Sequence, residues 1–589
     1  MLELDVETTS VQWYSGEVFL VQFETEDGER YVFEHPEQRT EVQAWLAQPD
    51  DYRAWNSKFD FHFLDAAGYD LPPQERWHDG MVAAHLLDER RSVALKAVGA
   101  TMFGEEVRDH EKAVKAWINE EEKRRRKASK ETGDEFIPTD YSAVPRELMI
   151  PYALEDVTLT RRVGAVHYPT LQKVPELQAL YETEMTVMGA LFCAEKHGLP
   201  VDEPAAHRFE LALAEKLEGL NARAVDLAGI KSFNPRSSKQ IAEALKRRGA
   251  NLDFVTKTKT GLSMDAENLA TVDDPLARSI EEFRSEDKLL GTYVRPLLHR
   301  SWEQSLHAWK APFIQDGRIH SNIRQVGART GRMSSSDPNI QNFPRDDLRL
   351  RYLIRSEPGH KLVTADLDSI ELVLFAAYAG EGKLLDAVLK GTDMHTMTAD
   401  YIGLEDFHRS GGHVESRRQR GKRFNYLSIY GGGVRAIRKF FLVPQSRARE
   451  MQGLYHQAYP EVSRLQRRVA FKLEDQGYIK SAFGRRYRVD PRDARKAVNY
   501  LVQGTAADML KISIANLHRQ GVQIIAPVHD ELLAHVPEAD AERVGKALVG
   551  ALTDHPKITA LVPLGAEAKI VDRWSQAKDP DFIPDYERP

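Results

Sequence analysis

Several domains of mixed α/β structure are implied by the 589 residues, on three observations. At one to two hundred residues per domain, the length corresponds to roughly three to five domains. Strand-like and helix-like stretches alternate both in residues 1 to about 170 and from about Lys361 to the end. Hydrophobic residues make up 42% of the chain, which supplies real cores and excludes wholesale disorder. No run approaches the ~20 consecutive apolar residues of a membrane span. The opening MLELDVETTS lacks the basic-then-apolar layout of a secretory signal. Cys193 is the single cysteine, which excludes an internal disulfide framework and a cysteine-built zinc site and fits a reducing compartment. With 81 Lys and Arg against 89 Asp and Glu, the net charge is −8. That excludes a uniformly basic nucleic-acid coat. It leaves a local basic groove open, because clustering sets the field that phosphate feels. A soluble, intracellular, multidomain protein is expected.

Along the chain, Leu2-Glu3-Leu4 enters an acidic turn, Val18 to Phe23 reads as a strand, and Met81 to Leu87 reads as a helix. Between Glu105 and Lys130 the composition shifts to charge, ending in Glu120-Glu121-Glu122-Lys123-Arg124-Arg125-Arg126-Lys127. It reads as a solvated helix or mobile insertion, with a basic finger touching DNA as the alternative. Phe209, Leu213, Leu217, Leu220, Ala224 and Leu227 form an apolar stripe at helical spacing, the packing face of a long helix. The turn-rich Ser232-Phe233-Asn234-Pro235-Arg236-Ser237-Ser238 interrupts it. There is no internal repeat and no low-complexity tract.

Asp5 and Glu7 sit two apart on a predicted strand, so their carboxylates share a face. Asp60 lies beside an apolar run in Trp55-Asn56-Ser57-Lys58-Phe59-Asp60, and Tyr152 and Asp156 stand at i and i+4 of a helix. An isolated Asp-x-Glu means little. Four converging acids would repel one another unless divalent cations neutralised them. Two hard cations about 3.5–4 Å apart can activate water and stabilise in-line displacement at phosphorus. Tyr152 would then orient the attacking water. The order and spacing of these blocks resemble the 3′–5′ proofreading exonuclease domain of family A DNA polymerases. The resemblance implies that Asp5, Glu7, Asp60 and Asp156 bind metal and that Tyr152 is catalytic; Asn56 also matches the motif. An ordinary α/β domain with scattered surface acids is the plain alternative. Each position holds the residue that activity requires, so a working exonuclease is expected.

Farther on, Arg417-Arg418-Gln419-Arg420-Gly421-Lys422-Arg423 carries five cations in seven residues, followed by Phe424-Asn425-Tyr426-Leu427-Ser428-Ile429-Tyr430-Gly431. Arg418, Lys422, Tyr426 and Tyr430 are spaced by four, one slowly turning helix stripe. Cations that take phosphates beside a ring that stacks on a base suit a nucleotide. A basic run alone is more often a solvated helix face. Here the chain resembles family A over nearly its whole length, the class of bacterial polymerase I and many bacteriophage replicases. The blocks that carry the resemblance run from Thr330-Gly331-Arg332 to Asn342, from Ala365-Asp366 to Leu372, along the basic helix, from Asn499-Tyr500 to Asp508, and through Val528-His529-Asp530-Glu531-Leu532.

The resemblance implies a ribonuclease H-like exonuclease followed by a right-hand polymerase whose palm is an antiparallel sheet and whose fingers are helical. Residues 1–170 would be the exonuclease, 171–345 a connecting helix and thumb, 346–375 the first part of the palm, 376–515 the fingers, and 516–589 the rest of the palm. Asp366 follows the strand-like Lys361 to Ala365. Asp530 lies at a turn between Gln523 to Ala526 and Leu532 to Val536, a hairpin in which Pro527 argues against a central strand. Asp366 and Asp530 would bind metal as the catalytic pair, with a backbone carbonyl from Leu367. Arg418 and Lys422 would grip the triphosphate, Lys422 also acting as the acid toward pyrophosphate, and His395 would add a contact. Glu371 would be the sugar gate, packed with the ring at Tyr426 so that a 2′-hydroxyl is refused, and Glu531 a further palm acid. Arg495, Asn499 and Gln503 share a helix face. Side-chain amides can reach the minor-groove acceptors common to every base pair. By resemblance Arg332, Asn499 and Gln503 do this, His529 touches the primer end, and Lys288 lies in a thumb segment tracking phosphates, which makes binding salt-sensitive.

The expected cofactors are two Mg²⁺ in each centre, with Mn²⁺ as a substitute. The expected partners are primer-template DNA and dNTPs, with no membrane, in a monomer located in the bacterial cytoplasm or nucleoid, or in the host cytoplasm if viral. The compact chain suggests a viral source. Three departures stand out. Asp368-Ser369 replaces a common Ser-Gln, adding a carboxylate near Asp366. Tyr426 replaces a common Phe, which implies efficient dideoxynucleotide use. Only about thirty residues separate Lys288 from His320, little room for a thumb insertion that recruits a processivity protein. The chain begins at the exonuclease strand, so no 5′-nuclease domain is expected before it. The rival readings are a DNA-degrading 3′–5′ exonuclease whose polymerase half mainly binds DNA, and a non-catalytic DNA-binding scaffold.

Overall fold

A computed structural model of the chain describes residues 1–259, 261–303, 308–408 and 414–588. The acidic turn expected after Leu4 is absent. The strand β1 (Leu2–Thr8) continues through both acids because Asp5 and Glu7 pair with Gln22 and Leu20 of the fully buried β2 (Val18–Glu24). With β3 (Arg30–Glu34), β4 (Tyr52–Ala54) and β5 (Trp77–Asp79) they form a sheet of order β3-β2-β1-β4-β5. It is antiparallel on one side of β1 and parallel on the other. Helices α1 (Ser57–Ala66), α2 (Gly80–Leu87), α3 (Leu95–Phe103), α4 (Asp109–Thr132) and α5 (Arg146–Gln172) surround it. Phe61, Phe63 and Leu64 of α1 join Leu4, Val6 and Phe23 in its core.

The charged segment is α4. One apolar stripe, Val114 with Trp117 and Ile118, packs against Phe19, Leu20 and Met149. Its cations are largely taken up within the helix, as in Lys115 to Glu111 at 2.5 Å and Arg125 to Glu121 at 3.0 Å. That is a solvated helix.

Helix α6 (Pro175–His197) serves two cores: Met188 and Phe192 pack into the N-terminal one, and Val187, Leu191 and Ala194 into the C-terminal one. Helix α7 (Glu203–Ala228) buries Phe209, Leu213, Leu217, Leu220 and Ala224 of the predicted stripe, Leu227 at its end being half-buried, and α8 (Pro275–Lys288) packs beside it.

The C-terminal sheet is built on β6 (His360–Leu367). After it come α9 (Ile370–Ala379), α10 (Met394–Ile402), α11 (Arg417–Ile429) and α12 (Ala494–Arg519), then β7 (Ala526–Val528), β8 (Glu531–Pro537), α13 (Ala541–Thr553) and β9 (Ala566–Val571). The order is β7-β8-β6-β9, antiparallel throughout. The first hairpin strand lies later than Gln523 to Ala526 suggests and includes Pro527. Strand β7 is an edge, where a missing N–H breaks no ladder. Helix α11 ends at Ile429, one residue before the fourth member of the predicted stripe. Tyr430 caps it, and Gly431 follows at φ 78°, a left-handed position that ends helices.

Candidate active sites

In the N-terminal domain, Asp5 and Glu7 of β1 and Asp156 of α5 bring carboxylate oxygens within 4.8 Å of one another. Asp60, in the first turn of α1, accepts the Val6 N–H at 3.1 Å, while its Oδ2 is buried without a hydrogen-bond partner. The loop before α1 is fixed by Asp79, whose carboxylate accepts the N–H of Ser57 at 3.0 Å and of Asn56 at 3.3 Å, Asn56 itself standing at φ 67°. Burial first, and then the charge of Asp156, hold Asp5 well above the usual carboxylate range. Burial followed by the charge of Asp5 does the same to Glu7 and Asp60. Asp156 is raised by burial against the pull of Lys96. Lys96, from α3, pairs with Asp156 and lies 5.2 Å from the centre of the Tyr152 ring. The phenol of Tyr152 is pushed well up by burial and by Asp156. Four crowded carboxylates, with Asp60 Oδ2 and Asp156 Oδ1 buried without a hydrogen bond, fit hard divalent cations.

In the C-terminal sheet, the ladder sets Asp366 opposite Glu531, one residue from Asp530. The Leu367 N–H donates to the Asp530 carbonyl at 3.3 Å. Arg345 binds both carboxylates: its Nη2 is 3.2 Å from Asp530 Oδ1 and 4.0 Å from Asp366 Oδ2. Lys578 approaches Asp366 Oδ2 at 3.5 Å, and Asp366 Oδ1 is buried without a partner. Burial first, then the Asp366 charge, raise Asp530 to about 6 against the pull of Arg345. The turn is tight: His529 and Asp530 alone link the paired Val528 and Glu531, with His529 at φ 60°. Ser369, at φ 47°, turns β6 into α9. Here too, acid oxygens with an orphan suit hard cations.

A cavity of 310 Å³ opens beside Asp530 and Arg345. Its lining includes Leu367, Asp530 and His529 on one side and Lys422, Tyr426 and Tyr430 of the α11 stripe on the other. The rings of Tyr426 and Tyr430 stack at 6.0 Å and 28°. Glu371 accepts hydrogen bonds from Tyr430 Oη and from Arg332. The ring that hydrogen-bonds Glu371 is thus Tyr430, the cap of α11, while Tyr426 lines the same cavity and has its phenol raised by burial and then by the Glu371 charge. Arg418 binds Asp393 at 2.8 Å, and Asp393 caps α10, which carries His395. Burial, then Arg418, lower His395 to about 4, leaving it neutral 6.1 Å from the Tyr426 ring. Gly421 lets α11 touch α10: a Cβ there would strike the His395 carbonyl oxygen.

Asn499 and Gln503, on one face of α12, are half-buried. Asn499 Oδ1 is buried without a partner, and Gln503 interacts with the Tyr430 hydroxyl. Arg495, on the same helix, packs against Gly431. Lys288 is the exposed last residue of α8, outside the cavity lining. Glu531 turns away from the cavity: Arg351 donates to it at 3.2 Å and Trp574 Nε1 at 2.9 Å, so it anchors the sheet. Asp368 lies outside the cavity, its N–H bound to the Gly565 carbonyl at 2.9 Å. Lys96, Arg345 and Lys578 carry no sequence motif, and only the fold reveals their place.

The description of DNA polymerase family A matches residues 203–576, and that of a 3′–5′ exonuclease matches residues 1–166. DNA polymerase I of Pseudomonas aeruginosa is 30% identical over 625 residues, covering 98% of this chain and 64% of its own length. DNA polymerase I of Treponema pallidum is 28% identical, covering 88% of this chain and 50% of its own. The chain thus spans between half and two thirds of these bacterial relatives. The DNA polymerase of Mycobacterium phage L5 is 26% identical over 614 residues, covering 99% of this chain and 94% of its own. In fold the chain is similar, with a TM-score of 0.77 and 22% identity, to the POL domain of Pol1 from M. smegmatis in complex with DNA primer-template and dNTP; 98% of this chain and 96% of that one are covered.

Proposed function

The chain belongs to DNA polymerase family A and carries a 3′–5′ exonuclease domain, and on that footing we propose that it is a template-directed DNA polymerase that extends a primer 3′ end with dNTPs and excises misinserted ends at a second centre. In this reading residues 1–170 are the exonuclease, 171–345 the connecting helix and thumb, 346–375 and 516–589 the palm, and 376–515 the fingers. The observation that carries it is Arg345, one guanidinium touching both Asp366 and Asp530 across from Lys422, Tyr426 and Tyr430. That the similar Pol1 domain was captured with primer-template and dNTP supports it further.

Both kinds of enzyme generally use divalent metals. Here two Mg²⁺-class ions would be held by Asp366, Asp530 and the Leu367 carbonyl, and two by Asp5, Glu7, Asp60 and Asp156; such ions acidify an attacking hydroxyl or water and neutralise phosphate charge. The residues do the positioning. Arg418 and Lys422 grip the triphosphate, and Lys422 passes its proton to the departing pyrophosphate. Neutral His395 adds a hydrogen bond, Tyr426 stacks on the base, and Glu371, braced by Tyr430 and Arg332, closes the space of a 2′-hydroxyl. Asn499, Gln503 and Arg332 check the minor groove, with His529 at the primer end and Arg495 and Lys288 on the backbone. In the other centre Tyr152 orients water. Arg345 and Lys96 offset part of the negative charge of the two acid clusters.

Primer extension with four dNTPs and Mg²⁺, beside degradation of single-stranded DNA, tests the reading. Extension by the wild type that EDTA abolishes is expected. Degradation without extension would instead favour an exonuclease whose other half only binds DNA.

A further inference from the structure

At the end of β6 remote from Asp366, two imidazoles and a carboxylate meet that neither active centre uses. Leu362 faces His535 across the β6–β8 ladder, and His360, two residues earlier, shares that face on the diagonal. The two imidazoles stack at 4.8 Å and 20°. Glu357, in the turn before β6, completes a triad whose ligand atoms lie within 4.8 Å of one another. His535 is 7% exposed, yet its Nε2 has no hydrogen-bond partner, and Nδ1 of His360 is likewise buried and unpartnered. Native interiors seldom leave such nitrogens unsatisfied, and each one needs an explanation.

His535 Nδ1 supplies part of it, lying 3.2 Å from Nε2 of His197, the last residue of α6. With its hydrogen on Nδ1, His535 keeps the Nε2 lone pair free. We propose that Glu357, His360 and His535 bind one transition-metal cation of the zinc class, with His197 holding His535 in its ligating tautomer. Imidazole nitrogen with one carboxylate selects Zn²⁺, Co²⁺ or Ni²⁺, whereas oxygen-only sets select Mg²⁺. Three protein ligands leave a fourth position for water. Tetrahedral bonds of 2.0–2.1 Å place ligand atoms about 3.4 Å apart, so the triad closes by little more than ~1 Å. The exposed Glu357 side chain and a turn of the partly exposed His360 ring out of its stack on His535 provide that movement.

Arg318 pairs with one oxygen of Glu357 and donates to the His197 carbonyl at 3.2 Å. Its charge opposes the cation, so the metal is exchangeable and removed by chelators. Six residues of strand, about 20 Å at 3.3 Å per residue, separate His360 from Asp366. The bound ion is therefore not part of catalysis. It ties β6 and β8 to the end of α6, the helix shared by both cores.

Equilibrium dialysis against Zn²⁺ in excess Mg²⁺, followed by metal analysis, reads the site directly. The wild type should retain one Zn²⁺ equivalent more than His360→Gln or His535→Gln, and Zn²⁺ should raise its Tm but not theirs. Co²⁺ should give tetrahedral absorption bands that His360→Gln lacks. His360→Gln, at the partly exposed start of β6, keeps the comparison valid if the buried His535 variant misfolds. Equal Zn²⁺ content in the wild type and His360→Gln overturns the proposal.

Discussion

Burial holds the Asp5 carboxyl well above the usual carboxylate range, and that has a consequence for stability. Its folded pKa is raised above the unfolded value of about 3.9. The stability linked to its proton is therefore complete below that value and lost as pH rises through the folded pKa. In EDTA, Asp5→Asn should melt above the wild type near neutral pH, with the gap shrinking as pH falls toward about 4. Scanning calorimetry across that range checks it, and a gap independent of pH would contradict it. Tyr426 gives a second prediction at this scale. Its hydroxyl can replace the interaction that a dideoxynucleotide lacks, so Tyr426→Phe should lower the dideoxy-to-deoxy incorporation ratio about tenfold, the worth of one hydrogen bond. Competitive incorporation assays read that ratio, and an unchanged value would refute the role.

The acids were legible because their type and spacing carry the chemistry. The cations beside them were not. Lys96, Arg345 and Lys578 reach the two centres from α3, from a loop and from the C-terminal segment, and no local pattern distinguishes them from other surface cations.

Among elements, the α10–α11 pair matters most for the proposed nucleotide site. Thr398 Oγ1 donates to Asn425 Oδ1 at 2.9 Å and Asn425 Nδ2 donates to the Met394 carbonyl at 3.3 Å, fastening the helices where Gly421 lets them touch. Gly421→Ala would overpack that contact at about 1–3 kcal/mol. It should also raise the KM for dNTPs by moving Arg418 and Lys422 out of register; denaturant titration and steady-state kinetics measure the two effects. A variant unchanged in both would show the contact to be slack. Helix stripes at four-residue spacing predicted α7 and α11 well. Strand limits were harder to read: β1 outruns its local turn tendency through pairing with β2, and β7 tolerates Pro527 only because it is an edge.

On the scale of the molecule, α6 joins the halves through a buried ionic cluster. Glu184 of α6 takes Arg485 at 2.6 Å and Lys511 at 2.7 Å, and Arg485 also holds Asp508 at 2.7 Å. Burial would raise Glu184, but Lys511 and Arg485 pull it down to about 2. Glu184→Ala strands the buried Lys511 and leaves Arg485 with Asp508 alone, and should cost about 3–5 kcal/mol, seen as a lower Tm for both halves together. Melting of one half alone would show the halves to be uncoupled. This network, like the meeting of His197, His360 and His535, joins residues hundreds of positions apart, and only the folded chain brings them together.

Two separate acidic centres, one for extension and one for excision, are the centre of the account. Measuring both reactions side by side in Asp530→Asn and Asp5→Asn tests it most directly. Asp530→Asn should lose extension and keep excision, and Asp5→Asn should do the reverse. An Asp530→Asn chain that extends primers at the wild-type rate would contradict it.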